Sequence, residues 1–362
     1  MSLLQKLFKQ TFIYGLATVL PRMLSFILVP LYTKVMPPGS YGEDTLIYAW
    51  LAIFNVILAY GMETAFFRFY NASEHRKNVT STALISIGVS TGIFALFALM
   101  FKESLASLLN IEFRYIEYVI YILALDALVI VPFAWLRANE QPMRYALVKI
   151  LNVAINLGLN VFFLLLLPGL AEANPKTLLE VIYIPDFEIS YIFISNLAAS
   201  GITLLIMFRR YLLVSYVFDR GLWRKMMKYA LPVMVAGVAF TINEVFDRVL
   251  LSELLPEGIA KAEIGKYSAC YKLALFMTLF ATAFRLGIEP FFFSHASSDE
   301  PEKAYAQITN YFVVLGSVIL LVVVVFADLL KQLFILDPDY WEAMPIVPII
   351  LLASFFLGIY HN

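Results

Sequence analysis

A single cysteine, Cys270, stands among 362 residues, so no disulfide forms within the chain. Histidine is almost as scarce. His75, His295 and His361 have no second ligand at metal-binding spacing, and no metal site is expected. Charged residues make up 15% of the chain, against about 25% in a soluble domain. That shortage excludes an ordinary water-soluble fold. A phosphate-binding loop is missing too: Gly265-Lys266 runs into Tyr267, without the upstream glycine that such a loop needs. ATP hydrolysis by that route is excluded. No Ser/His/Asp or Cys/His set sits at compatible depths, and Asp337-Pro338-Asp339 reads as a turn rather than a glycosyltransferase metal pair. The expectation is a protein that is not an enzyme and uses no cofactor.

What the chain has instead is hydrophobic length. Hydrophobic residues are 61% of the chain, and they fall in runs of roughly 20, the length a membrane helix needs. Barrel strands are about half as long and alternate. The expected fold is all-α and polytopic. Ten spans are read, at about 11–33, 45–66, 80–101, 115–136, 145–167, 188–208, 228–252, 267–291, 307–330 and 342–360. The first is too long for a signal h-region and lacks a small-residue cleavage site.

The connecting segments carry a sign. Arg209, Arg210, Arg220, Arg224 and Lys225 face one acid, Asp219, in the link 209–227. Lys6 and Lys9, Arg68 with Arg76 and Lys77, and Arg137 with Arg144 fall on the same side. Loops of the other parity are acidic; the exception to the bias is 294–306, on the basic side, with Asp299, Glu300 and Glu302 against Lys303 alone. Positive loops stay cytoplasmic, so both ends of the chain are expected in the cytoplasm.

An offset of 226 residues superposes the chain on itself. Arg22 falls on Arg248, Pro30 on Pro256, Gly39 on Gly265, Tyr41 on Tyr267, Gly61 on Gly287 and Glu63 on Glu289. In all, 12 of the 54 positions from Tyr14 to Phe67 are identical without a gap, and the matched Arg, Glu, Pro and Gly carry the weight. The offset spans six helices, an even number, so the expected architecture is a parallel six-helix repeat of two bundles. The expected domains are 1–208 as the first bundle, 209–227 as a basic linker and 228–362 as a second bundle. Only four of the second bundle's six helices fit, and a complete half needs roughly 90 more residues by the same arithmetic. Duplicated membrane units commonly build transporters with a site between the repeats.

Charges within the spans are the candidate site, because each costs about 2.5–3.5 kcal/mol at bilayer depth. Arg22 is mid-way along the first span, its repeat mate Arg248 is in the seventh with Glu244 and Asp247, and Arg285 is in the eighth. The three arginines are candidates for contact with a translocated anion. Asp126, Glu244 and Asp247 are candidates for ion coupling, or serve only as counter-ions; Glu244 and Arg248, four apart, are able to neutralise each other. Asn152, Asn156 and Asn160 line one helix face, as a cavity wall or as interhelical hydrogen bonds. Glu63, Arg68 and Glu289 are candidate gate residues, while Gly61 and the adjacent aromatics read as a helix-end packing motif. Pro21, Pro30 and Pro232 predict bent or broken helices.

Several of these residues carry a family resemblance. An arginine in the first span, Pro30-Leu31-Tyr32-Thr33, Tyr41-Gly42 and Gly61-Met62-Glu63-Thr64-Ala65-Phe66-Phe67-Arg68-Phe69-Tyr70 resemble the opening of bacterial polysaccharide flippases. These belong to the multidrug/oligosaccharidyl-lipid/polysaccharide exporter superfamily. The resemblance implies two bundles rocking in alternating access around a cavity near Arg22 and Arg248. It implies a polyprenyl-diphosphate-linked oligosaccharide as substrate, carried across the bacterial inner membrane for O-antigen or capsule. Implied partners are that lipid-linked glycan, membrane lipids, a polysaccharide polymerase and glycosyltransferases, with no nucleic acid. A multidrug exporter of the same superfamily and a membrane-embedded glycan-assembly enzyme are the alternatives.

Overall fold

The computed structural model describes residues 19, 23, 26–173, 176–295 and 301–361, leaving aside the side chains of 286–295, 301–304 and 361. The described residues contain helices and no strand. Without water to satisfy them, backbone amides at membrane depth must bond within their own segment, and long helices are the solution.

The elements in order are α1 (Phe26–Val35), α2 (Pro38–Ala59), α3 (Met62–Ala72), α4 (Arg76–Met100), α5 (Lys102–Leu108), α6 (Phe113–Ala138), α7 (Pro142–Val161) and α8 (Leu167–Ala173). They continue as α9 (Leu178–Ile182), α10 (Glu188–Leu212), α11 (Arg220–Leu254), α12 (Glu257–Tyr271), α13 (Leu275–His295), α14 (Pro301–Val325), α15 (Ala327–Phe334) and α16 (Val347–His361). Nine stretches among the described residues are long and apolar enough to cross a membrane, and each coincides with one of the second to tenth expected spans. Most of the first expected span lies outside the described residues, with α1 as its final turns. Large apolar side chains point outward along the helices: Leu96, Leu205, Val314 and Leu321 are all at least 60% exposed. That inversion of the soluble pattern is what a lipid-facing surface requires. The chain is an all-α, multi-pass membrane protein.

Contacts divide the chain into two compact units, Met1–Gly42 with Lys261–Asn362, and Glu43–Ala260. This grouping differs from the division at 209–227 that the repeat suggests, since α11 falls with α2 to α10. The core of the Glu43–Ala260 unit explains why. Met226 and Ala230 of α11 are fully buried against Met62, Phe66, Val79, Ala83 and Val131. The other unit is held by aromatic contacts. Phe26 packs its ring 4.6 Å from Phe334 and 5.4 Å from Phe276, and the Tyr340 hydroxyl donates to the Met36 carbonyl at 2.8 Å.

Of the three prolines named above, Pro21 lies outside the described residues, and the other two do not break their helices. Pro232 lies inside one uninterrupted helix, α11, and Pro30 inside α1. The breaks lie elsewhere. Between α2 and α3, Tyr60 has φ 33° and Gly61 has φ 70°, which no right-handed helix accommodates. A Cβ at Gly61 would stand 2.3 Å from the Ala230 carbonyl oxygen, so only glycine fits this turn. A π-turn at Phe162–Leu166 joins α7 to α8, and a 3-10 turn at Lys272–Ala274 joins α12 to α13.

A polar cavity in the Glu43–Ala260 unit

Six helices of this unit, α2, α3, α6, α7, α10 and α11, line a cavity of about 500 Å³. Its wall is polar where the surrounding bundle is not. Asp126 stands at the middle of α6, and Ser200 donates to its Oδ1 at 2.7 Å from α10. Asn55 of α2 adds a second hydrogen bond to the same carboxylate. Asn152 of α7 donates to Thr203 Oγ1 at 3.0 Å, and the Thr203 hydroxyl in turn donates to the Ala199 carbonyl at 2.8 Å. Asn196 donates to the Tyr48 hydroxyl at 3.2 Å. These bonds hold each polar group on a fixed helix face, as buried polar groups demand.

Lys149 of α7 faces the same space. Its ammonium sits 4.4 Å from the centroid of the Phe133 ring and forms no ion pair with a described residue. A cation over an aromatic face keeps its three N–H donors free for another partner. At the end of the cavity, Glu63 Oε1 pairs with Arg137 Nη1 at 2.6 Å, both side chains nearly half exposed.

The expected site residues fare differently. Asp126, Asn152 and Glu63 come together at this cavity. Asn160 bonds to Asn156, its amide donating to both the carbonyl and the side-chain oxygen of Asn156 at 2.8 Å. Arg68, one turn on from Glu63, turns elsewhere and places its guanidinium 4.4 Å over the Tyr229 ring. Arg248 is buried and does not line the cavity. Its Nη1 donates to Asp247 Oδ1 at 2.7 Å and to the Glu244 carbonyl at 2.9 Å, which ties the guanidinium to its own helix. Arg285 is exposed on α13. Arg22 and the side chain of Glu289 lie outside the described residues.

Lys149 is the residue that sequence reasoning missed. It sits inside the fifth expected span, three residues before Asn152 and so on the same helix face. That spacing is a readable signal. Asn55, Asn196, Ser200 and Thr203 had none, because small polar residues are common in membrane helices and only packing shows which share a cavity.

Comparison with known proteins agrees with this architecture. Residues 7–284 match the family described as polysaccharide biosynthesis protein. No curated protein matches the chain. Among solved structures, the inward-facing conformation of a multidrug resistance MATE family transporter of the MOP superfamily is 15% identical with a TM-score of 0.67, covering 94% of this chain and 81% of that one. The outward-facing conformation of such a transporter is 13% identical with a TM-score of 0.64, covering 99% and 85%. A MOP superfamily transporter from Pyrococcus furiosus, described by a binding pocket of reversed polarity, is 15% identical with a TM-score of 0.59, covering 99% and 85%. At such identities the likeness is one of fold.

Proposed function

Because the chain belongs to the polysaccharide biosynthesis protein family and has the fold of MOP superfamily exporters, we propose that it translocates a polyprenyl-diphosphate-linked oligosaccharide across the bacterial inner membrane. The observation that supports this reading is the cavity itself. Amides and hydroxyls of Asn55, Asn152, Asn196, Ser200 and Thr203 suit sugar hydroxyls, and the Lys149 ammonium suits a phosphate or an acidic sugar. Translocation requires neither bond making nor bond breaking, and this reading assigns no covalent chemistry to the chain. Arg22, Arg248 and Arg285 are the further cations this reading assigns to the anionic head, and Asp126 is its candidate for ion coupling, with Glu244 and Asp247 behind it. Alternating access by two six-helix bundles, with both chain ends in the cytoplasm, belongs to the same proposal.

The test is surface polysaccharide in cells that depend on this chain. Lys149→Met should abolish it at unchanged protein level, with lipid-linked glycan accumulating on the cytoplasmic side, and Lys149→Arg should retain a substantial part. Normal surface polysaccharide in the Lys149→Met strain would overturn the role of this cavity. One observation favours a second reading. Asp126 lines the same space as Phe133 and Tyr145, a combination that suits an organic cation, and the similar solved structures include multidrug transporters. Efflux of a cationic dye from vesicles holding the full chain, lost on Asp126→Asn, would favour drug export instead.

A further inference from the structure

The Glu43–Ala260 unit holds a second pocket, which shares no lining residue with the polar cavity. It is smaller, about 180 Å³, and its lining includes Arg76 and Lys77 at the start of α4, Arg210 near the end of α10, and Tyr70, Trp135 and Thr80. No carboxylate lines it. None of its three cations forms an ion pair with a described residue. Instead the Arg210 guanidinium carbon lies 3.2 Å from the centroid of the Trp135 ring, and that of Arg76 lies 5.3 Å from the centroid of the Tyr70 ring. Such contacts engage the π-face of a guanidinium and leave its in-plane N–H groups open, which is the geometry that grips two oxygens of one phosphate. The volume equals about six waters of liquid, room for a phosphate group and its ester links.

A general excess of positive charge on one side of a membrane protein sets topology and needs no pocket. Arg209, Arg220, Arg224 and Lys225 fit that description, being exposed and outside this lining. Arg76, Lys77 and Arg210 differ: they converge from two helices on one concave space, and Arg210 is partly buried there. Basic pockets between membrane helices commonly hold lipid head groups. We propose that this pocket is a phosphate-binding site, separate from the cavity above and on the face that the charge bias assigns to the cytoplasm. Its ligand is a phosphate group, carried by an anionic phospholipid or by a soluble phosphate compound.

The experiment uses the purified full chain. Native mass spectrometry reads retention of phosphatidylglycerol against phosphatidylcholine, and thermal unfolding in phosphatidylcholine nanodiscs reads binding of inorganic pyrophosphate. Retention of phosphatidylglycerol, weakened about tenfold or more by Arg76→Gln with Lys77→Gln, supports the site and identifies a lipid source. Protection by pyrophosphate, lost in the same variant, supports the site with a soluble source. Both replaced side chains are exposed, so this variant keeps its fold; Arg210→Gln, which also unstacks Trp135, is the stronger but less clean version. Equal weakening by Arg224→Gln with Lys225→Gln would mean that only the overall charge matters, and would overturn the proposal. So would a chain that prefers neither phosphatidylglycerol nor pyrophosphate.

Discussion

Gly42 and Gly265 meet backbone to backbone. A Cβ built on Gly265 stands 1.9 Å from the Pro38 carbonyl oxygen, and one built on Gly42 stands 1.7 Å from the Lys261 carbonyl oxygen. The sequence offset pairs Gly265 with Gly39 instead, yet a Cβ on Gly39 meets nothing within 4 Å. Repeat mates thus share a position in the pattern without sharing a packing role.

The first prediction follows from that contact. The obstructing atoms are backbone, which no rotamer change relieves. Gly265→Ala and Gly42→Ala should each lower stability by about 1–3 kcal/mol or more, the usual cost of overpacking. Gly39→Ala should be neutral or stabilising by up to about 1 kcal/mol, because it only removes backbone freedom in an open helical position. Thermal unfolding of the purified protein in detergent compares the three.

Arg248 supplies the second. Its guanidinium is buried and tied to Asp247, so Arg248→Ala removes a cation paired with that carboxylate. Full burial makes such a loss worth about 3–5 kcal/mol; Asp247 keeps a third of its side chain exposed, which places the expected loss nearer 1–3 kcal/mol. Asp247→Asn should cost less. If Arg248→Ala leaves the melting temperature unchanged while export falls, Arg248 acts on substrate rather than on packing.

A third concerns Asp126. Ser200→Ala removes a hydroxyl that donates to its carboxylate at 2.7 Å. Hydrogen bonds to charged groups contribute about 1.5–3 kcal/mol, and replacement by water in an open cavity recovers part of that. A fall in melting temperature equivalent to about 1 kcal/mol is expected, with Ser200→Thr restoring it.

The fourth tests the gate. Glu63 and Arg137 pair at 2.6 Å, but both side chains are nearly half exposed. An exposed pair contributes at most about 1 kcal/mol and weakens with salt. Exchanging the charges, Glu63→Arg with Arg137→Glu, should leave stability within that range. A gate role predicts that either single variant changes the export rate well beyond its effect on stability, and that the exchange restores it. Export tracking stability alone would reduce the pair to a surface contact.

The nine described spans were legible because hydrocarbon thickness imposes a length that any apolar run reveals. The turn at Gly61 was legible as a helix end, whereas Gly287, read the same way from the repeat, lies inside α13. Pro232 does not break its helix. In a membrane helix neighbouring groups re-satisfy the freed carbonyl, and α11 continues through. Asn152, Asn156 and Asn160 looked equivalent from their spacing, yet Asn152 bonds across to Thr203 whereas Asn156 and Asn160 bond to each other.

From the order of residues alone came the membrane, the helices and their approximate ends, because each depends on a local property: the transfer free energy of about 20 consecutive side chains. Which helices share a cavity, and whether a buried charge faces space or a partner, came only with three dimensions. Lys149 and Arg248 are both cations within spans, but one lies over Phe133 beside an open volume and the other is tied to Asp247. A charge takes its role from what stands within a few ångströms of it, and for Lys149 that neighbour is Phe133 of the preceding helix.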